Sequence, residues 1–329
     1  MSMRTHLLLS LIISLCCGII SGQHLIRVNN NPGADADYAT LQDANDNASD
    51  GDTIYVEGST TAYGDANISR RLTIIGPGYF LSENDSTQAN KMEANVGTVY
   101  FNSGSAGSII TGMKGSSVSV KVDNIAVTRC HLSYIYFYDD IENILVLQNF
   151  VSGISVASGK ITNGIISNNI VGYYISIGST SGPLQITNNV VTSLYYTPID
   201  VYNASIANNI ICSSSFVITP NTGNTITNNI LAYDGTDAGG NRHNVAMANV
   251  FVDYNGNLGY SSDGKWQLRT GSPAIGSGLS GVDCGVFGGV TPYVLSGLPA
   301  LPHIYEAAIA GTAYSGEGLS CTIKVKSGK

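Results

Sequence analysis

Few side chains in this 329-residue sequence are equipped for chemistry, and a cluster of those that are lies between positions 114 and 142. Asp139, Asp140 and Glu142 form an acidic group, and in the repeat described below Glu142 stacks one coil above Asp123. Two carboxylates several ångströms apart are what a glycoside hydrolase needs as acid and base or nucleophile. Arg129 and His131, with Lys114 and Lys121 upstream, suit another reaction. A polysaccharide lyase needs a cation to neutralise a uronate and a basic side chain to take the proton. The enzyme reading requires Arg129, His131 and the acidic group at 139–142 to meet in one groove. The plainer reading is that acidic residues before a turn are simply solvated, and that Arg129 and His131 belong to a coil near the end of a solenoid with relaxed core demands.

Tyrosines offer a binding chemistry instead. Tyr134, Tyr136 and Tyr138 alternate with Ile135 and Phe137, which puts three phenols on one face of one strand, and Tyr173, Tyr174, Tyr195 and Tyr196 recur at similar offsets. An exposed aromatic stripe suits stacking against sugar rings. Asp234 and Asp237, in a loop with Gly239, Gly240 and Asn241, could supply oxygen ligands to calcium, as could the segment from Asp253 to Asn257. Neither has an EF-hand spacing, because Val245 and Gly264 stand where the bidentate Glu would be, so ordinary turn chemistry competes with metal binding. From 151 to 231 the only charged side chains are Lys160 and Asp200, which confines acid–base chemistry to the first coils or the loop after Leu231.

The elements that must position these residues follow from an internal repeat. Gln148-Asn149, Asn168-Asn169, Asn188-Asn189, Asn208-Asn209 and Asn228-Asn229 recur every 20 residues, and Ala248-Asn249 extends the series. Turn formers Asn143, Asn163, Pro183, Asn203 and Gly223 sit six positions before the second residue of each pair. Val146, Ile166, Ile186, Ile206 and Ile226, with Val151, Val171, Val191, Ile211 and Leu231, then fall into two stacked core columns. One further coil fits upstream with a 19-residue step, placing Asn124 at the turn and Cys130 at the ladder position. A period this short, without a Leu-rich consensus, leaves a parallel β-helix. Rungs about 4.8 Å apart stack like side chains, so an amide ladder can satisfy itself inside the coil. Cys130 and Cys212 lie four coils apart, roughly 19 Å, too far for a disulfide. With Cys284 and Cys321 they complete an even set in the mature chain.

Composition agrees. Only 12% of residues are charged, there are 38 glycines, and the formal charge of −8 is not gathered into runs, which argues against nucleic acid as a partner. Arg4 and His6, an apolar run from Leu7 to Ile20, then Ser21 and Gly22 read as a signal peptide, with no transmembrane segment in the mature chain. Leu41, Ala44 and Ala48 at helical spacing predict a short helix capping the first coil. Leu319, Cys321, Ile323 and Val325 alternate with polar residues, predicting a strand with one buried face that pairs with 304–309 and docks on the last coil or a partner.

Tyr38-Ala39-Thr40-Leu41-Gln42, the segment Gly51 to Val56 and the segment Leu72 to Gly78 resemble the opening of pectate-lyase-like right-handed β-helix proteins. Trp266-Gln267-Leu268, Gly271 to Gly276 and Val282 to Gly289 resemble the closing segment of secreted β-helix proteins of Bacteroidetes type. The right hand is implied by that resemblance. The expected architecture is all-β: a right-handed parallel β-helix solenoid with a short N-terminal capping helix and a C-terminal β-hairpin. It divides into a signal peptide (1–22), an N-terminal segment with the helix (23–50), the solenoid (51–290) and the hairpin segment (291–329). The expected function is that of a secreted or cell-surface protein binding polysaccharide or another cell-surface component, with calcium as the one cofactor the sequence suggests. A lyase or hydrolase acting from the first coils, and an adhesive solenoid acting through its hairpin, are the alternatives.

Overall fold

The computed structural model describes residues 23–178, 182–312, 316 and 318–327, so the expected signal peptide lies outside the described residues. The chain forms an all-β parallel solenoid of about 9 turns, with one α-helix and a C-terminal antiparallel hairpin among the described residues. A first ten-stranded sheet runs from Leu25–Val28 and Thr53–Val56, through Ile141–Leu147 and Ile161–Ser167, to Thr225–Thr227. A second sheet runs beside it from Ala66–Ile68, through Lys114–Val120, His131–Phe137, Phe150–Val156 and Ile170–Gly178, to Ile230–Leu231. The repeat sets the register. Val146 pairs with Ile166, Ile166 with Ile186 and Ile186 with Ile206. Val151, Val171, Val191, Ile211 and Leu231 pair in turn. All nine are buried, each contributing about 1.5–3 kcal/mol relative to exposure.

The two residues of each ladder pair have different tasks. The first turns a corner in the left-handed region, with φ of 59° at Gln148, 56° at Asn168, 55° at Asn188, 59° at Asn208 and 55° at Asn228. Asn tolerates that conformation better than most residues, and Gly112 and Arg129 hold the same corner in the preceding coils. The second residue points inward and is fully buried. Asn169 donates from Nδ2 to Val146 O, Ser167 O and Asn189 Oδ1, while its own Oδ1 accepts from Asn149 N and Nδ2, all within 2.9–3.0 Å. Cys130 keeps the ladder's backbone bond, its N donating to Asn149 Oδ1 at 2.9 Å.

The last rung differs from the expected Ala248-Asn249. Asn229 donates to Asn241 Oδ1 instead, 12 residues on, because the loop from Asp234 to Gly240 returns the chain to the ladder early. Asn249 sits in a 3-10 turn, Met247–Asn249. At the other end the helix Leu41–Asn47 is capped by Thr40, whose Oγ1 accepts from Asp43 N at 3.0 Å. It buries Leu41 and Ala44 and packs against Leu25–Val28 and Ala66–Ile68. The sheet therefore opens at Leu25, ahead of the helix and of the expected start at 51.

Past Asn241 the chain stops coiling and runs back along the outside of the solenoid, which is why regular coils end well short of 290. The outer corner residues hold this strap rung by rung. Asn228 Nδ2 donates to Ser277 O, Asn208 Oδ1 accepts from Leu279 N, and Asn188 Nδ2 donates to Asp283 O. Asn168 Nδ2 donates to Val286 O and Gly288 O, Gln148 Nε2 to Pro292 O, and Arg129 Nη1 to Leu298 O. Apolar strap residues including Phe251, Cys284, Val286 and Tyr293 cover Ile170, Val190, Ile210 and Ile230 on the outer face of the second sheet. Buried Asp263 anchors the far end, accepting from Ser296 N at 2.7 Å and Asn84 Nδ2 at 3.0 Å.

The strap delivers the hairpin, His303–Ile309 paired with Cys321–Lys326, to the first coils and not to the last. Ala89 N donates to Ile304 O at 2.7 Å, and His303 Nε2 lies 3.2 Å from Ser86 O. The expected buried face of the second hairpin strand is open to solvent: Ile323 is 56% exposed and Val325 61%. A groove of about 1000 Å³ separates the hairpin base from Leu25, Tyr55 and Ile75. Cys130, Cys212 and Cys284 are buried and unpaired, and Cys321 is exposed and unpaired.

Candidate functional site

The expected catalytic residues occupy opposite ends of one strand. Arg129 turns the corner before His131–Phe137 and is bound to Gln148 Oε1 at 2.8 Å as well as to the strap, so it serves as a clasp. His131 packs among Tyr79, Phe80 and Phe150 with ring centroids 4.7–5.4 Å away. Burial first, then Lys114, lowers its pKa to about 4, so the ring is neutral near pH 7. Asp139, Asp140 and Glu142 lie exposed beyond the far end of that strand, about 20 Å on at the usual rise per residue. Glu142 does stack beside Asp123 as expected, but through its backbone N, which donates to Asp123 Oδ1 at 2.8 Å. The structure does not gather these groups in one groove.

The calcium candidates are engaged in their own turns. Asp234 Oδ1 accepts from Gly235 N at 2.9 Å, and Asp237 Oδ1 accepts from His243 N at 2.7 Å. Asp253 accepts from Asn257 N and Leu258 N. Among the described residues no three acidic, His or Cys side chains converge as metal ligands would.

The tyrosines, by contrast, converge. Tyr134 and Tyr136 stack at 5.2 Å with their planes 17° apart, and Tyr138 lies 6.5 Å beyond Tyr136. Tyr134 is 6.5 Å from both Tyr173 and Tyr174, and these lie 5.4 and 5.8 Å from Tyr196. Lys121 Nζ sits 5.8 Å from the ring centre of Tyr138 at the far end. Tyr196 reaches the platform because the chain leaves the sheet after Val191, bonds Tyr195 N and Tyr196 N to Ser193 Oγ, and returns as Ile199–Val201. Burial, then the neighbouring phenol of Tyr174, pushes the Tyr134 and Tyr136 hydroxyls above their ordinary pKa, so both remain protonated.

Gly153 makes the platform continuous. It pairs with Tyr134 on one side and Tyr174 on the other, and a Cβ there would lie 2.9 Å from Tyr134 Cε1 and 3.3 Å from Tyr174 Cε2. Gly153→Ala is expected to push the Tyr134 ring out of place while leaving the buried core intact. Near-ultraviolet circular dichroism should change while the thermal midpoint moves by only a few degrees; an unchanged aromatic spectrum would show that the rings do not depend on this gap.

Beside the rings, Ser155, Ser176 and Asp200 form a polar column in register with Tyr136. With Tyr174, Tyr196 and Thr197 they line a cleft of about 330 Å³. Asp200 is steadied by Asn221 Nδ2, which donates to its Oδ1 at 2.8 Å. Strict 20-residue spacing hides this column: a bulge shifts the pairing from Val151/Val171 to Gly153/Tyr174, and the 193–198 loop delays Asp200. Comparison of the chain with protein families, curated proteins and solved structures gives no match.

Proposed function

We propose that this protein binds carbohydrate at the tyrosine platform of its second sheet and acts outside the cytoplasm, at the cell surface or in secreted form. The observation that carries the reading is the contiguous array of Tyr134, Tyr136, Tyr138, Tyr173, Tyr174 and Tyr196 flanking a hydroxyl-lined cleft with one carboxylate. Sugar rings present an apolar C–H face and a polar edge, and rigid phenols beside hydroxyl and carboxylate groups complement both. The resemblance of the opening and closing motifs to exported pectate-lyase-like β-helix proteins of Bacteroidetes type supports export, as does the apolar run at Leu7–Ile20.

Tyr136→Ala is the direct test. It removes the central ring and should weaken retention in polysaccharide affinity gels about tenfold while leaving the thermal midpoint unchanged. Undiminished retention would remove the platform from consideration. The open apolar row of the hairpin favours a second reading, adhesion through the C-terminal strands. That reading is lost if deletion of 299–329 leaves attachment to cells intact.

A further inference from the structure

We infer that the ligand is an uncharged polysaccharide, bound as an extended chain that runs along the solenoid axis across successive coils. The inference rests on the carbohydrate reading above and adds a direction and a charge class to it.

Direction follows from two adjacent columns. The aromatic column passes from Tyr134 over Gly153 to Tyr174 and on to Tyr196, one coil at a time. Phe216 holds the place corresponding to Tyr196 in the next loop: Ser213 Oγ accepts from Phe216 N at 2.8 Å as Ser193 Oγ accepts from Tyr196 N, 20 residues earlier. Phe216 is 38% exposed. The four steps of about 4.8 Å between these five coils make a track of roughly 19 Å. The polar column of Tyr136, Ser155, Ser176 and Asp200 runs parallel to it, two residues along the strand from Tyr134, Gly153 and Tyr174 and four residues past Tyr196. From Tyr134 to Tyr196 a chain laid along the axis keeps its C–H faces towards the aromatic column and its hydroxyl edge towards the polar one. A chain laid along the strand would meet Tyr134, Tyr136 and Tyr138, but the hydroxyls in register beside them, Ser117 and Ser119, are buried and offer it no open polar row.

Charge class follows from what lines the track. Asp200 is the sole charged residue of the cleft, and Asp139 and Asp140 stand exposed just past Tyr138. Lys121, beyond the strand end, is the one cation seen against the platform rings among the described residues. On a protein of net charge −8, a uronate or sulfate polymer would be repelled from this face, whereas a neutral sugar can donate hydroxyl hydrogens to Asp200.

The test is affinity electrophoresis of the whole mature protein in gels containing β-glucan, mannan, xylan or galactan, with polygalacturonate and alginate as anionic comparators. It is followed by calorimetry with a disaccharide-to-hexasaccharide series of whichever neutral polymer retards the protein. The expected result is retardation by a neutral polymer and affinity that rises with chain length. Tyr196→Ala and Phe216→Ala should each cost roughly fivefold on the hexasaccharide and little on the disaccharide, and Tyr138→Ala should cost less than either on the hexasaccharide. Asp200→Asn should weaken every length. Retardation only by the anionic polymers, still weakened by Tyr136→Ala, would overturn the charge class and leave carbohydrate binding standing. A larger loss in Tyr138→Ala than in Tyr196→Ala would overturn the direction. No retardation by any polymer would overturn both this inference and the carbohydrate reading beneath it.

Discussion

Replacing the inner ladder residue Asn189 by Ala should destabilise the solenoid by about 3–5 kcal/mol, among the larger effects of any single substitution. The Asn189 side chain accepts from Asn169 N at 3.0 Å and from Asn169 Nδ2 at 2.9 Å, and donates to Ile166 O, Thr187 O and Asn209 Oδ1. Truncation leaves the Asn169 amide and the Ile166 carbonyl without these partners where water does not reach, and each orphaned group costs about 1–3 kcal/mol. Its neighbour behaves differently. Asn188 faces the strap, so Asn188→Gly keeps the left-handed corner and removes the bonds to Asp283 O and Gly285 O, for a loss of about 1–2 kcal/mol. Asn188→Ala should lose about 1 kcal/mol more, because Ala resists a φ of 55°. Urea unfolding followed by circular dichroism measures all three. If Asn189→Ala were no more harmful than Asn188→Gly, the inner ladder would not be the main polar support of the core.

That difference also marks how far the sequence could be read. Stacked coils repeat their side chains, so the core columns from Val146 to Ile226 and from Val151 to Leu231 were legible by spacing alone. The capping helix showed itself through Leu41, Ala44 and Ala48. The strap left no such trace, because a segment that lies across the coils owes nothing to their period. The Asn at each outer corner was its one signal, and the left-handed turn explains an Asn there equally well. Without the strap, neither the arrival of the hairpin at the first coils nor the open face of Ile323 and Val325 could be foreseen. Tyr134, Tyr136 and Tyr138 were legible because strand alternation is local. Tyr173 could be placed only by coil offset, and Ser155, Ser176 and Asp200 were invisible because a bulge and a six-residue excursion break the 20-residue count at that point. Arg129 and His131 drew attention as chemical groups because they are polar residues in an apolar repeat. The structure gives each a packing reason: one clasps Leu298 O, and the other fills the place that Phe150 fills one coil on.

His131 supplies the second large expectation, a loss of stability in mild acid. Its pKa in the folded chain is about 4, against 6.5 for the free side chain, chiefly because burial among Tyr79, Phe80 and Phe150 disfavours the cation. Lys114 lowers it further, while Glu93, Asp263 and Glu83 oppose the shift. Since the folded value is the lower one, the unfolded chain binds the proton more tightly. Stability is therefore full above about pH 6.5 and falls as the pH drops towards 4, by up to about 3 kcal/mol from this one group. His131→Phe should remove that component. Phe is the residue at the equivalent position of the next coil, so the packing has a precedent in Phe150. It also eliminates the buried Nδ1, which has no hydrogen-bond partner, so the variant should match or exceed the parent at pH 7.5. Carboxylates remote from position 131 contribute alike to both proteins. The difference between their urea midpoints at pH 7.5, 5.5 and 4.5 isolates the histidine, and a difference that stays constant across the three would mean that His131 is not buried in its neutral form.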